Sequence, residues 1–339
     1  MALEQRPFGQ CKRKNVRKNP ARVFLAFSVC GDIFPPLAST DDVAPGFVDR
    51  KFKECCKPRS GQSRLYSYQE ALTYLRGNPF ITHGYRQNYS VRETLRSLFT
   101  IHNESANIWS HLIGWLLFFY FTLLSVWSLL VSEADADLVH QTTVVIYCTG
   151  AMTLLACSTS FHWLGCVSDE VYALTAKLDY TGIAVLILVS FFPFIYSFYY
   201  SSPKWGLFWC LNISILTVAA IFVSWSETFS RPGYQKLRAG LFVGVGLVGG
   251  FVLPHACYSL GVDQSWDVLW PLLLMGGLYI GGAALYAMHI PERFFPGKLN
   301  VIGHSHFLFH CCVVAAALVH YWNIHRLVEF RKDVFGAIA

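Results

Sequence analysis

The chain has 339 residues, of which 54% are hydrophobic and only 14% are charged. Soluble domains carry about a quarter charged residues, so this composition excludes an ordinary soluble protein and indicates an integral membrane protein. The charge is concentrated at one end, because residues 1–104 hold 17 of the 27 Lys and Arg and 9 of the 21 Asp and Glu.

Residues 1–63 are predicted to form a basic, largely disordered cytosolic region. The run CKRKNVRK, residues 11–18, can bind anionic lipid headgroups at roughly 1 kcal/mol per basic residue, and a solvated arm is the alternative. Residues 31–63 are rich in Pro, Asp and Ser, as loops and disordered segments are. We expect no nucleic-acid partner, since a nuclear signal does not fit a chain that spans a membrane.

Residues 64–106 are predicted to lead into the membrane through short amphipathic cytosolic helices. The stretches SYQEALTYLR, Ser67–Arg76, and SVRETLRSLFTI, Ser90–Ile101, each have the pattern of such a helix. Ser90 with Glu93 three residues later is a capping box. The apolar side of the second helix can lie on the membrane or dock a partner.

Seven apolar runs follow, and each is long enough for a bilayer-crossing helix, which needs about 20 residues. We therefore predict an all-α polytopic fold, with a seven-helix transmembrane domain over residues 107–325 and a short outside or lumenal tail over residues 326–339. The predicted spans are Ile108–Val131, Thr142–Phe161, Leu178–Tyr199, Trp205–Trp225, Ala239–Leu260, Val268–Ile290 and Val301–Ile324.

The distribution of Lys and Arg predicts the orientation, since cytosolic loops carry the excess of positive charge. The basic N-terminal region stays in the cytosol, and seven spans then place the C-terminus outside or in a lumen. Loops predicted outside hold only Lys204 as a cation. The glycosylation sequons at Asn88 and Asn103 would face the cytosol and stay unmodified.

Three histidines are predicted to hold a metal ion. His306 and His310 are four residues apart at the start of the last span, so they share one helix face. His162 ends the second span, which the topology places at the same depth, whereas His304 points elsewhere. Three imidazoles with an open position make the layout of catalytic zinc. Taken singly, each histidine is better explained as a helix–helix hydrogen-bonding residue.

Two further polar residues are predicted to lie beside this cluster. Asp179 falls within the first turn of the third span, where a carboxylate costs about 2.5–3.5 kcal/mol and needs a partner or a function. Ser158 is four residues before His162, on the same helix face. Asp179 would accept a proton from the zinc-bound water, and Ser158 would donate a hydrogen bond to the water or to a developing oxyanion.

Six stretches in order resemble the progestin and adipoQ receptor family, which includes the adiponectin receptors. The resemblance implies seven helices with a cytosolic N-terminus, zinc held by His162, His306 and His310, and Asp179 and Ser158 as polar site residues. Related membrane hydrolases, including alkaline ceramidases, carry a similar set, which implies lipid amide hydrolysis. The stretches are NPFITHGYR, NESANIWSHLIG, STSFH, KLDYTGI, PERFFPGKLN and SHFLFH.

Three functions remain open at this point. The first is a receptor-like signalling protein that binds a cytosolic partner, such as a Raf-type kinase or an adaptor, or responds to a hormone or lipid. The second is a zinc-dependent intramembrane hydrolase of a ceramide-like amide, and the third is a purely structural tether. The resemblance extends to a Golgi-resident branch that tethers a Raf kinase, so the Golgi membrane and the plasma membrane are both expected locations. A ceramide-like or sterol ligand and an oligomeric state are left open.

Overall fold

The computed structural model describes residues 64–131, 138–226, 229, 234–260 and 262–336. The predictions for residues 1–63 lie outside the described residues. The described chain is almost entirely helical, with one small antiparallel hairpin in front of the helices. The strands are β1 (Tyr66–Ser67) and β2 (His83–Tyr85), and the helices are α1 (Val91–Ser97), α2 (Ser105–Val131), α3 (Leu138–Leu164), α4 (Asp169–Phe198), α5 (Pro203–Ser224), α6 (Gln235–Gly246), α7 (Gly249–Leu260), α8 (Val262–Met288) and α9 (Ser305–Phe335).

Seven helices among the described residues are long and apolar enough to cross a membrane, if α6 and α7 are taken together as one span. The predicted seven-span, all-α architecture is thus confirmed. Large apolar side chains on the outer faces of the helices are exposed, for example Leu116, Ile215 and Phe222. In water such a surface would drive aggregation, whereas in a bilayer it faces hydrocarbon.

Helices α2, α3, α4 and α9 enclose the main apolar core. Phe118, Tyr147 and Leu155 are fully buried there, together with Leu186 of α4 and Ile324 of α9. A second cluster joins α4 and α9 to α7 and α8. Helix α3 carries one candidate metal ligand, His162, and α9 carries two, His306 and His310. This core therefore fixes the spacing between the two helices on which the site depends.

The fifth predicted span, Ala239–Leu260, is interrupted. A two-residue turn at Leu247 and Val248 separates α6 from α7. The glycines around this turn lower helix propensity, and Pro254 lacks the N–H that would bond to the carbonyl of Gly250. The hydropathy of this stretch predicts one continuous span, but the backbone forms two consecutive helices.

Three other boundaries differ from the sequence-based expectation. Helix α4 begins at Asp169, so Asp179 lies ten residues into the helix and not in its first turn. Helix α9 continues through the residues predicted as a tail and ends at Phe335. The stretch Ser67–Arg76 forms a turn and a short 3-10 helix, Thr73–Leu75, where we predicted an amphipathic α-helix. In the first two cases the helix continues beyond the apolar run into polar sequence, where hydropathy does not locate its end. In the third case the amphipathic pattern did not predict the turn.

The N-terminal cap, residues 64–103, packs on the loop between α8 and α9. The backbone N–H of Thr82 donates to Asn300 Oδ1 at 2.8 Å, and that of Gly297 donates to the Phe80 carbonyl at 3.0 Å. Gly297 has a φ of 75°, and a Cβ there would lie 2.8 Å from Thr82 Oγ1. This close approach explains why the PERFFPGKLN stretch has glycine at that point. Helix α1 begins at the predicted capping box, because Ser90 and Glu93 bond reciprocally.

Candidate metal centre

The predicted ligands come together at one end of the bundle. His162 lies in the last turn of α3, while His306 and His310 lie in the first two turns of α9. One ligand atom from each of the three imidazoles lies within 4.8 Å of the others. The two Nε2 atoms of His162 and His306 are 3.0 Å apart. The fold therefore assembles a three-histidine cluster from residues 144 positions apart in the chain.

The other ring nitrogen is hydrogen-bonded in two of the three histidines. His162 Nδ1 lies 2.8 Å from Glu104 Oε2, and His310 Nδ1 lies 3.2 Å from the Asn107 carbonyl. Carboxylate and carbonyl oxygens accept, so both Nδ1 atoms carry the proton and both Nε2 atoms are left with their lone pairs. A ligating histidine almost always has such a partner on its second nitrogen.

These contacts test whether the residues fit a metal ion, and they do. Two Nε2 atoms bound to one tetrahedral zinc lie about 3.3 Å apart, close to the 3.0 Å between His162 and His306. The ring of His111 stacks on that of His310, with centroids 3.6 Å apart, and fixes its plane. Three neutral imidazoles suit zinc, copper, iron or nickel, so the cluster can hold a transition-metal ion.

Glu104 is a site residue that the sequence analysis missed. Its carboxylate accepts from His162 and, at 2.7 Å, from Asn107 Nδ2. Its backbone N–H donates to His102 Nδ1 at 3.1 Å. Burial alone would raise the pKa of Glu104, but the hydrogen bonds that its carboxylate accepts from His162 and Asn107 outweigh this and hold the pKa below its usual value. The carboxylate is therefore ionised and orients His162.

His102 holds the backbone of Glu104 in place. It is buried, and its Nε2 lies 3.2 Å from the carbonyl of Ser97. Burial and the nearby charge of Arg86 together lower the pKa of His102 to about 3. The imidazole is neutral at physiological pH, so one nitrogen donates to Ser97 while the other accepts from Glu104.

Arg86 connects the N-terminal cap to the end of α3. It is buried, and its guanidinium donates to the carbonyl of His162 at 2.7 Å and to Ser97 Oγ at 2.5 Å. Trp163 reinforces the contact, because its Nε1 donates to the Thr94 carbonyl at 2.7 Å. The cap thus satisfies carbonyls that a helix end leaves unpaired and holds the backbone that carries His162.

Asp179 and Ser158 lie where the sequence analysis expected a polar neighbourhood. Asp179 is buried in α4 and lines a cavity of about 160 Å³ together with His162 and His306. Ser158 is buried in α3 and lies beside the Asp179 carboxylate. Tyr172, Tyr180, Tyr286 and Arg238 line the same cavity. A small, mixed polar and aromatic space therefore adjoins the histidine cluster.

His304 does not join the cluster. Its Nδ1 accepts from the backbone N–H of Phe307 and caps the start of α9. The next residue, Ser305, is held by Glu292, which accepts from both its backbone N–H, at 2.7 Å, and its hydroxyl. Glu292 also accepts from Asn78 of the cap at 2.9 Å. This cap and anchor set the start of α9, and with it the positions of His306 and His310.

The missed residues have one signal in common. Glu104 and Asn107 belong to NESANIWSH, and Glu292 to PERFFPGKLN, two of the stretches on which the family resemblance rests. A carboxylate directly in front of an apolar span is costly unless it has a partner, and this could have marked Glu104. Hydropathy and histidine spacing alone do not indicate which histidine it contacts.

Fold and site together define a multi-pass membrane protein with a buried three-histidine cluster at one end of its bundle. Residues 99–321 match the family of haemolysin-III related proteins. The chain is 38% identical to progestin and adipoQ receptor-like protein 1 of Caenorhabditis elegans, over 80% of this chain and 62% of that protein. It is 38% identical to the adiponectin receptor protein of Drosophila melanogaster, over 79% and 60% of the two chains. It is 40% identical to ADIPOR-like receptor IZH2 of Saccharomyces cerevisiae, over 86% and 93%.

The chain belongs to the haemolysin-III related family, among the progestin and adipoQ receptor and adiponectin-receptor-like proteins. The match spans about three fifths of the length of the worm and fly relatives. The family resemblance stated from the six sequence stretches is confirmed.

Proposed function

We propose that this protein is a receptor-like membrane signalling protein built around an intramembrane zinc centre. The observation that supports it most is the histidine cluster, with His162 and His310 each held by an oxygen on Nδ1. The relatives named as adiponectin and ADIPOR-like receptors support the receptor class. In this proposal the protein lies in the Golgi or plasma membrane with its N-terminus and metal centre toward the cytosol.

The proposed output is regulation of a cytosolic kinase pathway, through a Raf-type kinase or an adaptor, in response to a hormone or lipid. In the proposed orientation the N-terminal cap, together with the loop between α8 and α9 on which it packs, would face such a partner. Arg86 bonds the cap to the His162 carbonyl, and Trp163 bonds the same helix end to Thr94 of the cap. In this proposal a change at the centre reaches the cap through these contacts.

The test combines metal analysis with a signalling readout. Purified protein should contain one zinc per chain, and His306→Ala with His310→Ala should lose it. Phosphorylation downstream of the Raf-type kinase is then compared between wild type and this double variant at matched membrane abundance. Wild type without stoichiometric metal would overturn the zinc centre, and equal output from the metal-free variant would overturn its role in signalling.

A second candidate function is hydrolysis of a lipid amide, such as a ceramide-like lipid. The observation that favours it is the cavity shared by Asp179, His162 and His306, with Ser158 beside the carboxylate. Zinc in a three-histidine site supplies a Lewis acid with an open position for water or substrate. A buried carboxylate needs a role to offset its cost in a span, and proton acceptance is such a role.

In this reading each residue has a separate task. Asp179 accepts the proton that the attacking water loses and returns it to the leaving amine. Ser158 donates a hydrogen bond that either orients Asp179 or stabilises negative charge on the amide oxygen. Tyr172, Tyr180 and Tyr286 line the cavity in which these residues meet and supply its aromatic wall.

Conservative variants separate hydrolysis from a structural role of the metal. Asp179→Asn and Ser158→Ala should keep the zinc and the fold but lose turnover of long-chain amide lipid. Thr159→Ala, a buried hydroxyl deletion on the next residue, is the matched control and should keep turnover. Equal loss of signalling in the histidine and aspartate variants, with no lipid turnover by wild type, would reject hydrolysis and leave the receptor proposal standing.

A further inference from the structure

A second pair of histidines meets at the opposite end of the bundle. His140 lies in the first turn of α3, and His325 lies in the second half of α9. His140 Nε2 and His325 Nδ1 are 3.1 Å apart. The pair thus joins the first turn of α3 to the second half of α9, the same two helices whose other ends carry His162, His306 and His310.

The geometry of this pair repeats that of the metal centre. Its ring centroids are 5.0 Å apart with the planes at 75°. The His162 and His306 rings are 4.8 Å apart at 61°, and their nitrogens are 3.0 Å apart. Two nitrogen ligands on one tetrahedral ion are separated by about 3.3 Å, so both pairs present their nitrogens at the spacing that a shared cation requires.

The surroundings of the pair suit a cation that exchanges with solvent. Both imidazoles are half-buried, so water can complete the coordination of an ion between them. Glu329, one turn after His325 on α9, is exposed and interacts electrostatically with that histidine. Tyr321, one turn before, packs edge-on against the His325 ring with centroids 5.1 Å apart and limits its rotation. Tyr321 thus positions the His325 ring, and the negative charge of Glu329 acts on it.

We propose that His140 and His325 form a second cation site, which binds a divalent transition-metal ion that prefers imidazole, such as copper or zinc. With two protein ligands it binds more weakly than the three-histidine centre. An occupied site clamps α3 to α9 at the far end and so restrains the distance between the same helices at the metal centre. In the proposed orientation this site faces outside or into the lumen, where it would sense the cation on that side.

The competing explanation is a direct hydrogen bond between two neutral imidazoles. A nitrogen separation of 3.1 Å suits that bond as well. The two explanations differ in what an added cation does. A hydrogen bond needs no ion and is broken by one, whereas the proposed site gains stability from the ion through mass action.

The experiment titrates Cu²⁺ into full-length protein in nanodiscs, with its histidine centre already loaded with zinc. Copper is used because it has the highest affinity for nitrogen ligands in the first-row series. We expect one copper per chain with a two-nitrogen paramagnetic resonance signal and a rise in melting temperature. His140→Gln and His325→Gln should each weaken this binding at least tenfold, and the double variant should lose little more than either single one.

Two controls keep the outcome clear. His83→Gln removes an exposed histidine of the cap and should leave copper binding unchanged. The zinc content of every variant should stay at one per chain, which shows that the fold and the first centre are intact. The proposal would be overturned if the two-nitrogen signal persists in the double variant, or if copper fails to raise the melting temperature of the wild type. Neither result would bear on the zinc centre.

Discussion

Replacing Glu104 with Gln tests whether the carboxylate tunes the metal centre through His162. The amide oxygen can still accept from His162 Nδ1, across the contact that is now 2.8 Å, but the negative charge is lost. Changing such a partner of a ligating histidine lowers metal affinity roughly 10- to 100-fold, which corresponds to about 1.4–2.7 kcal/mol. Since the ion binds only the folded chain, a zinc-saturated sample should lose a similar amount of unfolding free energy.

The assay is competition for zinc between the purified protein and a chromophoric chelator, with thermal unfolding measured on the same samples. Glu170→Gln is the matched control, because it makes the same substitution at an exposed position in the first turn of α4. It should leave the zinc affinity unchanged. If Glu104→Gln binds zinc within twofold of wild type, the negative charge of the carboxylate does not tune the metal affinity of His162.

Three further outcomes are expected. His304→Ala should lose about 1 kcal/mol of unfolding free energy, because the cap of α9 is removed. Elemental analysis should show that this variant keeps its zinc, whereas His306→Ala loses it. Loss of zinc from His304→Ala would place His304 among the ligands. Arg86→Met should lower the unfolding free energy by about 1–3 kcal/mol, because the His162 carbonyl loses its buried donor, and an unchanged melting temperature would contradict this. The sequon at Asn88 should stay unglycosylated if the cap is cytosolic, and glycosidase sensitivity mapped to it would reverse the orientation.

Hydropathy and charge predicted the spans well because both are averages over a whole helix. The seven apolar runs each correspond to a helix or, for Ala239–Leu260, to two helix segments. The ends were less predictable, since Asp169 and Phe335 lie beyond the apolar runs. There, the helix is stabilised by caps and by packing between neighbours, neither of which a window of mean hydropathy measures.

Some residues of the site could be predicted from the sequence and others could not. His162, His306 and His310 could be predicted because the four-residue spacing within one helix and the matching depth of a second helix constrain them together. Glu104 and Arg86 could not be predicted, because each contacts His162 from a segment that precedes α2, and the sequence does not indicate how that segment folds back onto the end of α3. The orientation, the zinc ion and the roles of Asp179 and Ser158 stay predictions with the experiments given above.

The distance along the chain between His162 and His306 also sets an order of events during biosynthesis. The two residues are separated by 144 positions, and at roughly 5–20 residues per second a ribosome needs about 7–29 s to synthesise that interval. Throughout this time α3 is complete, and Glu104 and Arg86 are already available to hold His162, but the last helix does not yet exist. The three histidines can therefore come together only after α9 has been synthesised, so a metal ion held by all three would be bound late, after α3 and α9 have packed together.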